Sequence, residues 1–372
     1  MNILLVITGL GTGGAETQLC SLADEYVDLG HNVKIVSLNS NIEIKPTRQS
    51  VFIETLKFDS KNASSFIKAM RVYLKVVNDF SPDIVHAHMF HANVFCRLSR
   101  FWGVRCRLIC SAHSQNEGNM LRSLAYRLTD SLCNISTNVS GAAVAAYLRK
   151  GCIPNRTRIL TMYNGININK YIYNEEARVR LRRELSLSDN ENIFLAVGRL
   201  TEAKDYITML TAYSIFLGKC NQHKFKLCVV GDGELKNLIF DKINELSLRD
   251  SVILLGSKSN VAEYMSAADF FLLSSRWEGL PSVVGEAMAC SRIVVATNAG
   301  GTAEWFSGLD YQFISPCVDP ELLADNMLAA SALNFTQRDL LQRNLRLQIE
   351  QKFSISNIAN EWIDLYLGTP CN

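Results

Sequence analysis

Short β-branched runs that stop at a glycine or a polar loop, each followed by a stretch of helical periodicity, recur along the chain and then begin again near its middle. In the first set, Asn2–Thr8 reads as a strand, followed by a glycine loop and a helix over Ala15–Leu29. Gly30, a helix stop, leads into a second strand, His31–Leu38; Ile84–His88 follows Ser81-Pro82-Asp83, and Arg107–Ala112 completes the set. The second set holds Asn192–Val197 ending at Gly198, a helix from about Asp205, Lys226–Val230 ending at Gly231-Asp232-Gly233, Ser251–Leu255 ending at Gly256, Ala268–Ser274 and Arg292–Thr297. Parallel neighbours in a sheet need long crossovers, so strand–helix alternation predicts parallel sheets covered by helices on both faces. Two sets predict an α/β chain with two doubly wound parallel-sheet domains facing a cleft, and 372 residues suffice for two ordinary cores. The domains are expected at 1–168 and 169–353, joined around Asn164–Asn174, with 354–372 forming a C-terminal helix that is apolar on one face over Ile355–Leu367. Ligands of such sheets bind beyond the carboxyl ends of the strands, so site residues are expected just after strands.

Composition narrows the class. Hydrophobic residues at 48% and charged ones at 20% describe a folded chain, not a disordered one. Charge is uneven: residues 1–180 carry 21 Lys and Arg against 13 Asp and Glu, while the rest carries 17 against 23. A basic first half suits an anionic partner such as a membrane surface or a phosphorylated acceptor, the plain alternative being chance drift of surface charge. The 11 cysteines form no C-x-x-C pair, and Cys20, Cys228 and Cys290 fall in or beside apolar segments, as free thiols of a reducing cytosol do. The apolar start Ile3–Ile7 lacks a basic leader and reads as a strand, and no apolar run approaches the roughly 18 residues of a spanning helix. A soluble, cytoplasmic protein is expected.

Gly9, Gly11 and Gly14 match G-x-G-x-x-G after the first strand. A dinucleotide site also wants an acid closing the second strand for a ribose hydroxyl, and Val36-Ser37-Leu38-Asn39 supplies none. What remains is a loop without side chains at a helix N-terminus, followed by Ala15-Glu16, which lets a substrate approach the backbone or serves the turn alone. The most informative segment runs from Ser275 to Ala289. A strand ends, a Gly/Pro loop follows, and a helix begins near Ser282, with Pro281 at its opening position. The N–H groups of residues 282–284 are expected to point at an anion, flanked by two carboxylates, Glu278 and Glu286. Acids beside a phosphate site fit only if they face neutral hydroxyls, which suits a sugar nucleotide. Arg199 and Lys204 follow another strand end and supply counter-charge, Arg by bidentate hydrogen bonds and Lys as a mobile point charge. Gly231-Asp232-Gly233-Glu234 follows the next strand.

Taken in order, Gly13-Gly14-Ala15-Glu16, Asn164-Gly165-Ile166, Gly198-Arg199-Leu200 with Lys204, Gly231 to Glu234, Glu278 to Glu286, and Gly300-Gly301 with Glu304 resemble glycosyltransferase family 4, retaining enzymes of the GT-B fold with two Rossmann-like domains. The likeness covers nearly the whole chain; Ala203-Lys204-Asp205 departs from a frequent Glu-Lys-Gly but keeps the lysine. The resemblance implies that Arg199 and Lys204 bind the donor diphosphate and stabilise the leaving group. Glu286 would hold the ribose and Glu278 the transferred sugar. Gly279, Leu280, Pro281, Ser282 and Val283 would touch the phosphates and sugar, with Gly231 nearby, Ser257 and Lys258 at the base, and Gly14 near the phosphates from the other domain. It also implies that the C-terminal helix crosses back to the first domain. His113 in this family contacts the sugar, which places it with the catalytic residues, while His88, Gly13 and Glu16 belong to the acceptor side.

His86, His88 and His91 cluster at one strand end and His113 follows the next. His-x-His puts two imidazoles on one face, but no carboxylate or thiolate lies close in sequence, so no metal is expected. Fixed cations perform a metal's task, and no cofactor is expected, the nucleotide diphosphate sugar being a substrate. The resemblance implies same-face attack, with a donor phosphate oxygen taking the acceptor proton. Phe95, Leu98, Phe101 and Trp102 recur at helical spacing among Arg97, Arg100, Arg105 and Arg107, an amphipathic basic segment suited to an anionic bilayer, or else a sheet-packing helix with a basic outer face. Partners are then a nucleotide-sugar donor, probed first as a UDP-sugar, and a glycan or polyprenyl-diphosphate-linked acceptor at the inner face of the cytoplasmic membrane, as in O-antigen or capsule assembly; nucleic acid is not expected. A nucleotide-sugar epimerase of the same fold and a non-catalytic sugar-nucleotide-binding protein remain as alternatives.

Overall fold

The computed structural model describes residues 1–59, 62–116, 118, 120–155, 158–188, 190–220 and 225–368. The chain divides into two compact units, Met1–Gly165 with Ile355–Asn372, and Ile166–Ser354. In the first unit seven strands, β1 (Asn2–Ile7), β2 (Asn32–Ser37), β3 (Phe52–Thr55), β4 (Ile84–His88), β5 (Arg107–Ala112), β6 (Ile135–Asn138) and β7 (Ile159–Thr161), form one parallel sheet in the order β3-β2-β1-β4-β5-β6-β7. In the second, β8 (Asn192–Val197), β9 (Phe225–Val230), β10 (Val252–Gly256), β11 (Phe270–Leu273), β12 (Ile293–Thr297) and β13 (Ile314–Ser315) form another, ordered β10-β9-β8-β11-β12-β13. Both orders reverse direction once, next to the first strand of the unit, the arrangement of a doubly wound sheet.

Strand alternation explains how each sheet is covered on both sides. Along β1, Ile3, Leu5 and Ile7 enter one apolar cluster with Leu19, Leu22 and Tyr26 of the helix Gly14–Asp28, while Leu4 and Val6 enter another with Met70 and Tyr73 of the helix Ala63–Phe80. The first cluster is completed by Ile355, Ile358, Ala359, Trp362, Leu365 and Tyr366 of the C-terminal helix Ile355–Leu367, which packs on the helix Gly14–Asp28. Cys20, Cys228 and Cys290 are buried free thiols. No helix among the described residues is long and apolar enough to cross a membrane.

Four strands escaped the periodicity argument. β3 alternates between exposed and half-buried positions, β7 and β13 hold three and two residues, and β6 reads Ile-Ser-Thr-Asn, polar yet buried. The segment Phe95–Arg107 also differs from expectation. It ends the helix Phe90–Leu98 and continues as a 3-10 turn, Ser99–Trp102; Arg97, Arg100 and Arg107 turn inward, while Arg105 is exposed. Arg97 is fully buried, donating to the Tyr126 carbonyl and to Ser136 Oγ; Arg100 donates to the carbonyls of Leu132 and Val104, and Arg107 to that of Leu365. The segment therefore keeps only Arg105 of the basic outer face expected of it, because the other three guanidiniums satisfy backbone carbonyls in helices, a 3-10 turn and a loop.

Candidate donor and acceptor sites

In the second unit β8 and β11 are neighbours at the point where strand order reverses, so the loops that follow them flank the crevice. These loops carry Arg199 and Lys204, and Glu278. The Lys204 ammonium pairs with the Glu278 carboxylate, Nζ to Oε1 2.5 Å, and the same oxygen accepts a hydrogen bond from Ser275 Oγ at 2.7 Å. Backbone and side-chain bonds sew the two loops together. Ser274 Oγ donates to the carbonyls of Lys204 and Asp205 at 2.8 and 3.0 Å, the Arg276 N–H to that of Ala203 at 2.9 Å, and Arg276 Nε to Asp205 Oδ2 at 2.8 Å. Arg199 stands exposed on the same loop.

The loop after β9 is held against the first of these loops by two glycines. A Cβ on Gly231, whose φ is +150°, would stand 1.9 Å from the Gly198 carbonyl oxygen, and one on Gly233 would stand 2.6 Å from that of Leu200. Leu200 in turn donates its N–H to the Asp232 carbonyl at 3.0 Å. Ser257 and Lys258 are exposed beyond β10, two strands away from β8, and are not drawn into this cluster.

Pro281 precedes the helix Ser282–Ala289 instead of opening it. Its carbonyl accepts the Val284 N–H at 3.0 Å and the Trp305 indole N–H at 3.1 Å. The expected anion cradle of three N–H groups is thus reduced to two, those of Ser282 and Val283, since the first turn closes on itself at Val284. Buried Gly279 accepts the Gly301 N–H at 2.9 Å, and Leu280 is buried beside it. One turn into the helix, Glu286 is hydrogen-bonded by the Tyr171 hydroxyl, with Lys170 and Lys204 near enough to favour its charged form. Burial outweighs all three and pushes its carboxyl up to about 7. Lys170, Tyr171 and Trp305 went unnoticed in the sequence, and Ser275 was named only as the start of its segment. Trp305 directly follows the noted Gly300-Gly301 and Glu304, but nothing local to Tyr171 announces its partner.

In the first unit Gly13 is extended and precedes the helix that starts at Gly14, and the Glu16 carboxylate bends back over it, so that a Cβ on Gly13 would stand 2.4 Å from Glu16 Oε2. His88 ends β4 and His113 follows β5, and their rings meet, Nδ1 to Nε2 3.0 Å. Burial keeps both neutral and lowers His113 to about 4. His86 lies wholly inside the unit and His91 is half-buried. Among the described residues no group of three or more His, Cys, Asp or Glu side chains is placed to hold a metal ion.

Two family models match the chain, Glycosyltransferase Family 4 over residues 12–170 and Glycosyl transferases group 1 over residues 178–346. A Campylobacter jejuni relative, the N-acetylgalactosamine-N,N'-diacetylbacillosaminyl-diphospho-undecaprenol 4-alpha-N-acetylgalactosaminyltransferase, is 28% identical over 81% of this chain and 82% of its own. The amylovoran biosynthesis glycosyltransferase AmsD of Erwinia amylovora is 25% identical over 77% and 78%. The solved structure of Anabaena HepE in complex with UDP shares the fold, with a TM-score of 0.83 at 19% identity over 99% of this chain and 100% of that one. The two models together span most of the chain, one in each unit, and the chain belongs to the GT-B glycosyltransferases, resembling those that build bacterial surface polysaccharides.

Proposed function

We propose that this chain moves a hexose or N-acetylhexosamine from a UDP-sugar, with retention at the anomeric carbon, to a glycan or polyprenyl-diphosphate-linked acceptor at the inner face of the cytoplasmic membrane. The observation that carries the reading is the Lys204–Glu278 pair at the reversal point of the second sheet, with Arg199 on the same loop and Glu286 close enough to feel Lys204. Cleaving the bond from the anomeric carbon to the diphosphate oxygen leaves negative charge on that oxygen. Lys204, Arg199 and the N–H groups of Ser282 and Val283 are fixed positive groups for it. Glu278 takes hydroxyls of the transferred sugar and Glu286 those of the ribose. The acceptor oxygen forms the new bond on the face the diphosphate leaves, and its proton passes to a donor phosphate oxygen. His113 touches the sugar, and Gly13, Glu16 and His88 serve the acceptor. The name of the Campylobacter relative, with its undecaprenol diphosphate, and the UDP in the HepE structure support the choice of acceptor and nucleotide.

Thermal shift with UDP, GDP, ADP and NAD tests the donor site. UDP is expected to raise the melting temperature of the wild-type protein and to do so less in Lys204→Ala and Glu286→Ala; a response to NAD alone would overturn the reading. Transfer is expected to survive EDTA, and complete loss restored by magnesium or manganese would refute the metal-free mechanism.

A membrane role draws support from a different element than Phe95–Arg107. The helix Met120–Thr129 exposes Met120 (87%), Leu121 (71%), Leu124 and Leu128 (70%), with Arg122 and Arg127 among them. It follows His113 by one loop, on the carboxyl side of β5. Burying three leucines in a bilayer is worth roughly 1.5–3 kcal/mol each, helped by anionic lipid around the arginines. Co-flotation with vesicles containing anionic lipid is expected for the wild type and at least tenfold weaker for Leu121→Ser/Leu124→Ser/Leu128→Ser. Equal flotation of the two would remove this helix from the membrane role.

A further inference from the structure

Four aromatic rings stand in a row through the first unit. Trp362 of the C-terminal helix lies 4.4 Å, centroid to centroid, from His86; His86 lies 3.9 Å from His88, and His88 5.3 Å from His113, almost parallel to it. His86 and His88 share a face of β4 because they are two residues apart on a strand. Only the first histidine is fully bonded. His86 Nδ1 meets the Tyr366 hydroxyl at 2.6 Å and its Nε2 meets Ser111 Oγ at 2.6 Å. The Tyr366 hydroxyl continues to that of Tyr26 at 3.0 Å, and Ser111 Oγ to Thr137 Oγ1 at 2.6 Å. Burial keeps the His86 ring neutral, so it donates at one nitrogen and accepts at the other, and the two hydroxyl contacts hold the ring in plane.

The other two histidines are bonded to each other and to nothing else on their second nitrogens. His88 Nε2 and His113 Nδ1 are buried without a partner, as is Gln18 Nε2. All three side chains line one small cavity, of about 10 Å3, with Asn138, Asn164 and Trp362. A neutral pair shares one proton across its internal bond. If His88 donates, His88 Nε2 is a bare acceptor and His113 Nδ1 carries hydrogen; if His113 donates, the two roles exchange. In either tautomer the pair offers the cavity one donor and one acceptor. A phosphate would want two donors and a cation two acceptors, whereas a single hydroxyl, which gives and takes one hydrogen bond, matches both nitrogens. The volume admits one such oxygen.

We propose that Tyr366 and Trp362 are positioning residues of the transfer reaction: they clamp His86, whose ring packs at a tilt against that of His88, and so hold the His88–His113 pair in the orientation that receives a substrate hydroxyl. The inference rests on the reading of His88 and His113 as substrate contacts, and it gives the C-terminal helix a task in the site beyond closing the core. Nothing in the ring packing requires the Tyr366 hydroxyl, so Tyr366→Phe isolates the clamp from the fold.

Two measurements on the full-length protein test this. Histidine ring nitrogen NMR of the ligand-free protein reports tautomers directly. The wild type is expected to show one fixed tautomer at His86, and Tyr366→Phe to show exchange there and altered signals at His88 and His113. Steady-state kinetics should give Tyr366→Phe a kcat about tenfold lower with the donor KM within twofold of wild type. Ile358→Val, a buried change in the same helix that leaves the clamp intact, is the control and should keep wild-type kcat and spectrum. Equal losses in Tyr366→Phe and Ile358→Val, or an unchanged spectrum and kcat in Tyr366→Phe, would overturn the proposal. Full activity of His113→Ala would instead overturn the substrate reading of the pair, and the Tyr366→Phe spectrum would still decide whether the helix orders it.

Discussion

Lys204→Ala is expected to lower kcat by about 100- to 1,000-fold, the usual cost of removing one preorganised positive group from a developing oxyanion. The size follows from where the lysine stands. Lys204 and Glu278 expose only 20% and 15% of their side chains, so the ammonium acts in a poorly solvated place where its charge is weakly screened. Lys236 and Asp232, a pair on the neighbouring loop at 3.1 Å, are more than half exposed, and Lys236→Ala should leave kcat within twofold. The lysine already has a carboxylate partner in the ligand-free protein, so donor binding exchanges one anionic partner for another and desolvates no new cation. That exchange should keep the effect of Lys204→Ala on donor KM smaller than its effect on kcat. Single-turnover transfer from the donor chosen by thermal shift measures both. A loss confined to KM would remove Lys204 from leaving-group stabilisation.

Glu286→Gln is expected to stabilise the ligand-free protein at pH 8 and to weaken its response to UDP. A carboxyl raised from 4.5 to about 7 binds a proton in the folded state over a range where the unfolded chain has released it. Its contribution to stability is thus fully present below pH 4.5 and is lost as pH rises through 7, leaving an ionised group under-solvated above that. At roughly 1.4 kcal/mol per pKa unit, the folded state at pH 8 carries a cost of about 3 kcal/mol that glutamine, neutral at every pH, does not. For a unit of this size the melting temperature should rise by about 6–12 °C at pH 8 and by little at pH 4.5. The same substitution removes the negative charge proposed to hold the ribose. Melting curves at the two pH values, with and without UDP, read both effects. Equal stability of the two proteins at pH 8 would show that Glu286 is better solvated than its surroundings suggest.

How far the sequence revealed this molecule depended on whether the needed information was local. β-branched runs ending at a glycine or a polar loop marked the central strands of both sheets, because a strand buried on both faces is mostly apolar. β6 stayed hidden because its Ser136 and Thr137 are buried for hydrogen bonding, to Arg97 and Ser111, and polar residues give no apolar period. Arg97 was read as a surface charge for the matching reason: its partners come from elements 29 to 39 residues away. Lys204 and Glu278 were legible as chemistry since each follows a strand end, but their direct pairing depends on strand order, which places β8 beside β11. Tyr171 and Trp305, which bond Glu286 and Pro281, are ordinary core aromatics until the chain is folded.

The C-terminal helix also dictates the order in which this protein can mature on the ribosome. The cluster around Leu19, Leu22 and Tyr26 needs Ile358, Trp362 and Tyr366, which are synthesised only after the entire second unit, roughly 190 residues later. At about 5–20 residues per second, the nascent first unit waits some ~10–40 s with that apolar face uncovered. The second unit, continuous in sequence, has no such delay. Chaperone capture is therefore expected to fall on the half of the chain that leaves the ribosome first, and to end when the last helix emerges.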